Sequence, residues 1–231
     1  MLPKPLIEPD ADAERLGLDR AVAEAVRLRI AVGPRPTPDA DAIALRDLLT
    51  GLAPAQAAAV RAVLGRIDAA TGAPLVVWGS ASQTLAADRF GLTARTVAEP
   101  EKALACARDG FRALMDLTPK LVWWGRLLAE PGLRVVAALP DDRHGLPRAL
   151  MVQRTEPGPT GDDRTFWATD STAPDARIVE ALGAAGLAAS PLIAAGGLKL
   201  FMLAGYVQAE DGRLASTPGS LSGVIGAAPQ F

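Results

Sequence analysis

The chain has 231 residues, 49% of them hydrophobic, and its 24 basic against 26 acidic side chains give a formal net charge of −2. That describes a globular chain long enough to bury a core, without the basic face that nucleic acid or anionic lipid would require. A single cysteine, Cys106, and a single histidine, His144, exclude an internal disulfide, a thiolate metal cage and most histidine-ligand metal sites, so no metal or cofactor is expected.

The start, MLPKPLIEPDADAERL, has no apolar run and brings acids by Glu8 and Asp10, so no signal peptide is expected. The apolar stretch from Gly186 to Val207 is interrupted by Pro191, Gly196-Gly197 and Lys199, which argues against a membrane span. A cytoplasmic location is the default expectation. Lysines occur only at Lys4, Lys102, Lys120 and Lys199, which leaves 20 arginines.

Residues 10 to 72 read as three helices. In AERLGLDRAVAEAVRLRIAV, Leu16, Ala23, Val26 and Ile30 recur at helical spacing until Gly33-Pro34 stops the pattern. PDADAIALRDLL follows, with Asp39 and Asp41 as its cap, and then PAQAAAVRAVLGRIDAA, with Pro54 in its first turn. Three such helices make an open apolar layer that another element or a second subunit must cover.

From Ala73 the period changes. PLVVWG is a buried strand, SASQTLAADRFG a helix, TARTV an edge strand, EPEKALACARDG a helix and FRALMDL a strand. WWGRLLAE is a short helix, anchored on the sheet by Trp123-Trp124, and LRVVAALP and PRALMVQRT are strands. The alternation indicates an α/β layer with a mainly parallel sheet. TEPGPTGDD reads as a linker. DRTFWATD, APDARIVEALGAAG, SPLIAA, LKLFMLAGYV, AEDGRLAS and GVIGAAP then give a βαββαβ order.

The sharpest local feature is GSASQT, residues 79 to 84, between a buried strand and a helix. Ser80, Ser82, Gln83 and Thr84, with the free N–H groups of the helix start, suit a carboxylate or another small anion. The same residues also suit an ordinary serine N-cap. Arg27, Arg29, Arg46, Arg61 and Arg66 stud the helices, either as a grip on an anionic substrate or as a solvated face. His144 reads as an exposed loop residue. Cys106 reads as a small buried hydrophobe with no arginine clearly aimed at it.

This order of parts resembles the bifunctional chorismate mutase/prephenate dehydratase proteins. The resemblance rests on FGLTARTVAEPEKALACARDG, LKLFMLAGYVQAEDGRLA and GVIGAAP, within about residues 15 to 230. It implies a three-helix chorismate-mutase-like layer over 1–72, a shortened periplasmic-binding-like α/β unit over 73–156 and an ACT-like βαββαβ unit over 157–231. The functional motifs depart from the family. Arg27 fits the arginine of the first mutase helix and Asp39 an acid before the second, but no lysine occurs from residue 5 to 101. Ala42, Ile43 and Gly72 stand where polar groups are expected. The dehydratase Thr-Arg-Phe reads Pro147-Arg148-Ala149, and the ACT effector motifs are not retained.

The resulting expectation is a catalytically degenerate, homodimeric relative that binds a small carboxylate or aromatic metabolite in a regulatory or sensor role. Arg27, Asp39, Arg46, Ser80, Ser82, Gln83, Thr84 and Arg148 are the candidate ligand-binding residues. Two alternatives stand beside it. One is an active chorismate mutase in which Arg29, Arg35 or Arg46 replaces the lysine. The other is a structural or interaction protein.

Overall fold

The computed structural model describes residues 9–32, 37–117, 121–143 and 145–231; Arg35, Lys120 and His144 lie outside them. Three helices come first, α1 (Pro9–Val32), α2 (Pro38–Leu49) and α3 (Pro54–Thr71). Proline opens α2 and α3 at a position whose N–H has no helical partner in any case. Next come β1 (Leu75–Trp78), α4 (Ser80–Phe90), β2 (Arg95–Thr96), α5 (Pro100–Arg108) and β3 (Arg112–Asp116). A 3-10 helix (Trp123–Ala129), β4 (Arg134–Leu139) and β5 (Ala149–Gln153) follow. The rest is β6 (Asp163–Thr169), α6 (Asp175–Ala184), β7 (Ala189–Ala195), β8 (Leu198–Ala204), a 3-10 helix (Gly212–Ser216) and β9 (Ser222–Pro229).

These nine strands join one mixed α/β sheet in the order β2-β1-β3-β5-β4-β9-β6-β8-β7. The expectation of a mainly parallel sheet is corrected. Among the described strands, only β1–β2, β1–β3 and β4–β9 are parallel, and the other five pairs are antiparallel. The cause is the short connection 140–148. It cannot make the crossover a parallel pair needs, so β5 folds back on β4 and inserts beside β3.

Alternation along the strands sorts the core. Val76, Met115, Val135 and Leu150 face one way, with α5 and the fully buried Trp123 and Trp124. Val77, Leu114, Val136, Leu139 and Met151 face the other way, with Ala86 and Phe90 of α4. A third cluster packs Ile178 and Leu182 of α6 on Trp167 and Phe201. The two groups of strands meet where β4 runs beside β9. Gly226 there has a φ of +140°, and any Cβ would strike the backbone of Val135.

α1 and α3 share a small core of Ala25, Val60 and Leu64, against which Leu45, Leu48 and Leu49 of α2 pack. The stripe read from periodicity in α1 is turned outward, with Leu16 56% and Ile30 70% exposed. The inner face of α1 runs through Val22, Ala25 and Arg29 instead. Residues 155–162 do not form a free linker. Pro157 and Thr160 are buried, and Tyr206 Oη donates to the Pro157 carbonyl at 2.8 Å. No described helix is long and apolar enough to cross a membrane.

Candidate functional site

A cavity of about 240 Å³ lies between the three helices and the sheet face that carries Val136, Leu139 and Met151. Charged groups from separate elements line it: Arg29 of α1, Asp41 of α2, Asp68 of α3, Arg89 of α4, Arg112 of β3, and Asp141 just after β4. A second cavity of about 270 Å³ inside the helical layer shares Arg29, Asp41, Leu45 and Asp68 with the first.

Arg29 donates from Nε and Nη2 to Asp68 Oδ1 at 2.9 and 2.6 Å, and from Nη1 to Asp41. Burial works against its charge, yet Asp68 and Asp41 together hold its pKa above the ordinary value. Asp68 also shifts upward. Burial, the largest influence, outweighs the attraction of Arg29, and Asp41 adds like-charge repulsion. Both partners therefore move up, and the carboxylate is the strained member of the pair. Arg89 is pushed down by burial despite Asp141, whose Oδ2 lies 3.5 Å from its Nε.

Arg112 is held differently. Its Nε donates to the Ala73 carbonyl at 2.9 Å and its Nη2 to the Asp68 carbonyl at 3.0 Å, with the Phe90 ring 5.8 Å from the guanidinium. Among the described residues, no carboxylate comes within ion-pair distance of it and none accepts from its Nη1. Burial lowers its pKa, opposed by Asp68 and Asp41.

The residues singled out in the sequence are dispersed. Arg27 is 66% exposed and pairs with Glu24 on its own helix at 2.7 Å. Asp39 and Asp41 lie inside the first turn of α2 rather than at its cap, which is Thr37. Asp39 Oδ1 is buried without a partner. Arg46 is consumed by main-chain carbonyls: Nη1 donates to that of Thr160, and Nη2 to those of Asp162 and Gln230 at 3.1 Å each.

At the start of α4, the serines do not cap the helix. Asp116 of β3 reaches across, and its Oδ2 accepts the Ala81 N–H at 3.1 Å. A carboxylate of the protein thus occupies the position foreseen for a ligand's. Ser82 is fully buried with its hydroxyl unpartnered, whereas Gln83 and Thr84 are exposed. Thr84 Oγ1 donates back to the Ser80 carbonyl at 3.2 Å. Ser80 and Arg148 do come together, with Asp116 and Leu192, around an open cavity of about 310 Å³. Cys106 also differs from its reading, because Arg95 Nη2 donates to its Sγ at 3.2 Å.

Sequence reasoning missed Arg89 and Arg112. The available signal for Arg112 was a charge at the start of FRALMDL, whose Ala113, Leu114 and Met115 are buried on both faces. Among the described residues, no group of three or more His, Cys, Asp or Glu is placed to hold a metal ion.

No family model matches the chain, and no curated protein matches it significantly. Two solved structures are similar to it. One is described as GqqA, a novel type of quorum quenching acylases, 17% identical with a TM-score of 0.47, the match covering 68% of this chain and 95% of that one. The other is a prephenate dehydratase from Streptococcus mutans, a weak structural neighbour, 14% identical with a TM-score of 0.36 over 68% of this chain and 98% of that one.

Proposed function

We propose that this chain binds a small carboxylate metabolite in the cavity between its helical layer and its sheet, as a catalytically degenerate relative of the chorismate mutase/prephenate dehydratase proteins in a regulatory or sensor role. The observation that carries the binding is Arg112. It is a half-buried guanidinium with no carboxylate of the described residues within ion-pair distance, bonded only to two carbonyls, at the wall of a cavity with an apolar floor. An anion entering there replaces water at a charge already fixed in place, so little ordering cost remains.

The charge inventory supports a bound carboxylate group. Arg29, Arg61, Arg89 and Arg112 stand against Asp41, Asp68 and Asp141 in and around the cavity, an excess of one positive charge among the described residues. Binding without turnover is supported by the absence of lysine between residues 5 and 101 and by Pro147-Arg148-Ala149 in place of Thr-Arg-Phe. The family reading is supported by the order of parts, three helices, an α/β segment and then βαββαβ, whose last four strands lie side by side as β9-β6-β8-β7.

Titration calorimetry with chorismate, prephenate and phenylpyruvate, on the wild type and on Arg112→Met, tests the reading. Saturable heat that disappears in the variant is expected. Absence of heat with every carboxylate would overturn it. Loss of chorismate absorbance on incubation would favour the active-mutase alternative.

A further inference from the structure

Arg112 and Asp68 present opposite charges to the cavity side by side. The 3.0 Å bond from Arg112 Nη2 to the Asp68 main-chain carbonyl holds the guanidinium against the residue whose carboxylate lines the same wall. Their side chains make no hydrogen bond or ion pair with each other. Asp68 Oδ1 already accepts two N–H groups from Arg29, while Asp68 Oδ2 accepts none from the described residues and is not enclosed. One acceptor oxygen and one donor nitrogen, Arg112 Nη1, are thus left open beside a floor of Phe90, Val136, Leu139 and Met151.

We infer that the ligand is a free amino acid with an apolar side chain, its carboxylate on Arg112 Nη1 and its ammonium on Asp68 Oδ2. The inference rests on the carboxylate-binding reading above and names the ligand class. A simple acid would satisfy Arg112 and leave Asp68 facing apolar surface, and a simple amine would do the reverse. The acid leaves Asp68 Oδ2 without a partner, and the amine leaves Arg112 Nη1 without one. A zwitterion meets both. Burial already disfavours the ionised Asp68 carboxylate, a penalty that an ammonium would relieve. The cavity of about 240 Å³ leaves room for an apolar side chain beside the two charged groups.

Three probes that share one chain separate the contributions: norleucine, hexanoate, which lacks the amine, and pentylamine, which lacks the carboxylate. Calorimetry on the wild type should show norleucine binding at least about tenfold tighter than either, the worth of one charge-assisted pair. Asp68→Asn should bring norleucine down to hexanoate, and Arg112→Met should bring it down to pentylamine. If hexanoate binds as tightly as norleucine and loses affinity in Arg112→Met, the amino-acid inference falls and the carboxylate reading stands. If none of the three binds, the amino-acid inference falls, and the carboxylate reading falls with it when chorismate, prephenate and phenylpyruvate also give no heat. Should either variant fail to fold by circular dichroism, the three-probe comparison on the wild type decides alone.

Discussion

Arg61 on α3 and Asp141 beyond β4 are joined by an ion pair of 2.8 Å. Asp141 also faces Arg89 of α4, so one carboxylate links two helices to the sheet above the cavity. All three side chains are less than a fifth exposed, at 19, 16 and 15%. Removing the charge with Asp141→Asn strands two mostly enclosed guanidiniums and is expected to lower unfolding free energy by about 3 kcal/mol, the low end for breaking a buried pair. Urea unfolding measures it, and an unchanged midpoint would show that the link holds nothing together.

Gly65→Ala sets two effects against each other. Within a helix the change should stabilise by about 0.5–1 kcal/mol through backbone entropy. At this crossing, however, a methyl would collide with the carbonyl oxygen of Arg89 and with its Nη1. A backbone carbonyl cannot rotate away, so overpacking wins, at a cost of about 1–3 kcal/mol. The expected outcome is a lower melting temperature together with weaker binding of any cavity ligand, because Arg89 moves. A rise in melting temperature would mean that the two helices are not in contact.

Arg46 and Arg27 should behave oppositely. Arg46→Ala frees the carbonyls of Thr160, Asp162 and Gln230, and is expected to cost about 3 kcal/mol while speeding proteolysis within residues 155–162. Arg27 holds only the exposed Glu24, so Arg27→Ala should leave both the melt and ligand binding unchanged. A large loss of ligand affinity in Arg27→Ala would return that residue to the binding site.

Two carboxylates give stability opposite slopes with pH. The pKa of Asp68 is raised by burial, so its contribution is present below the ordinary value near 3.8 and is lost as pH rises through the higher folded value. That of Asp211 is lowered to about 2 by its hydrogen bonds to Arg213, so its contribution is present above 3.8 and is lost as pH falls toward 2. Urea midpoints followed across this range should flatten above 3.8 in Asp68→Asn and below it in Asp211→Asn. Parallel curves for wild type and both variants would contradict both assignments.

The elements themselves were legible. Apolar spacing located the three helices and the strands, because Pro, Gly and period changes punctuate them clearly. Sheet order was not, since nothing inside LRVVAALP or PRALMVQRT says that β5 will pair with β3 on its other side. The arginines were misjudged for a related reason. Arg27 and Arg29 are two residues, or about 200° of helix, apart, so at most one can face inward. The choice is made by Asp41 and Asp68, partners 12 and 39 residues away in sequence from Arg29, which no local pattern in α1 records. Asp116 escaped notice likewise, since its helix-capping role spans 35 residues.

The position of β9 has a kinetic consequence. It follows every other described strand in the chain, yet it sits between β4 and β6 in the middle of the sheet. Until Ser222–Pro229 is in place, β4 and β6 each present an unpaired edge, and the two strand groups have no common ladder. Closure of the sheet therefore depends on long-range pairing, which slows folding. A chain with β9 displaced has two adhesive edges, which exposes it to aggregation.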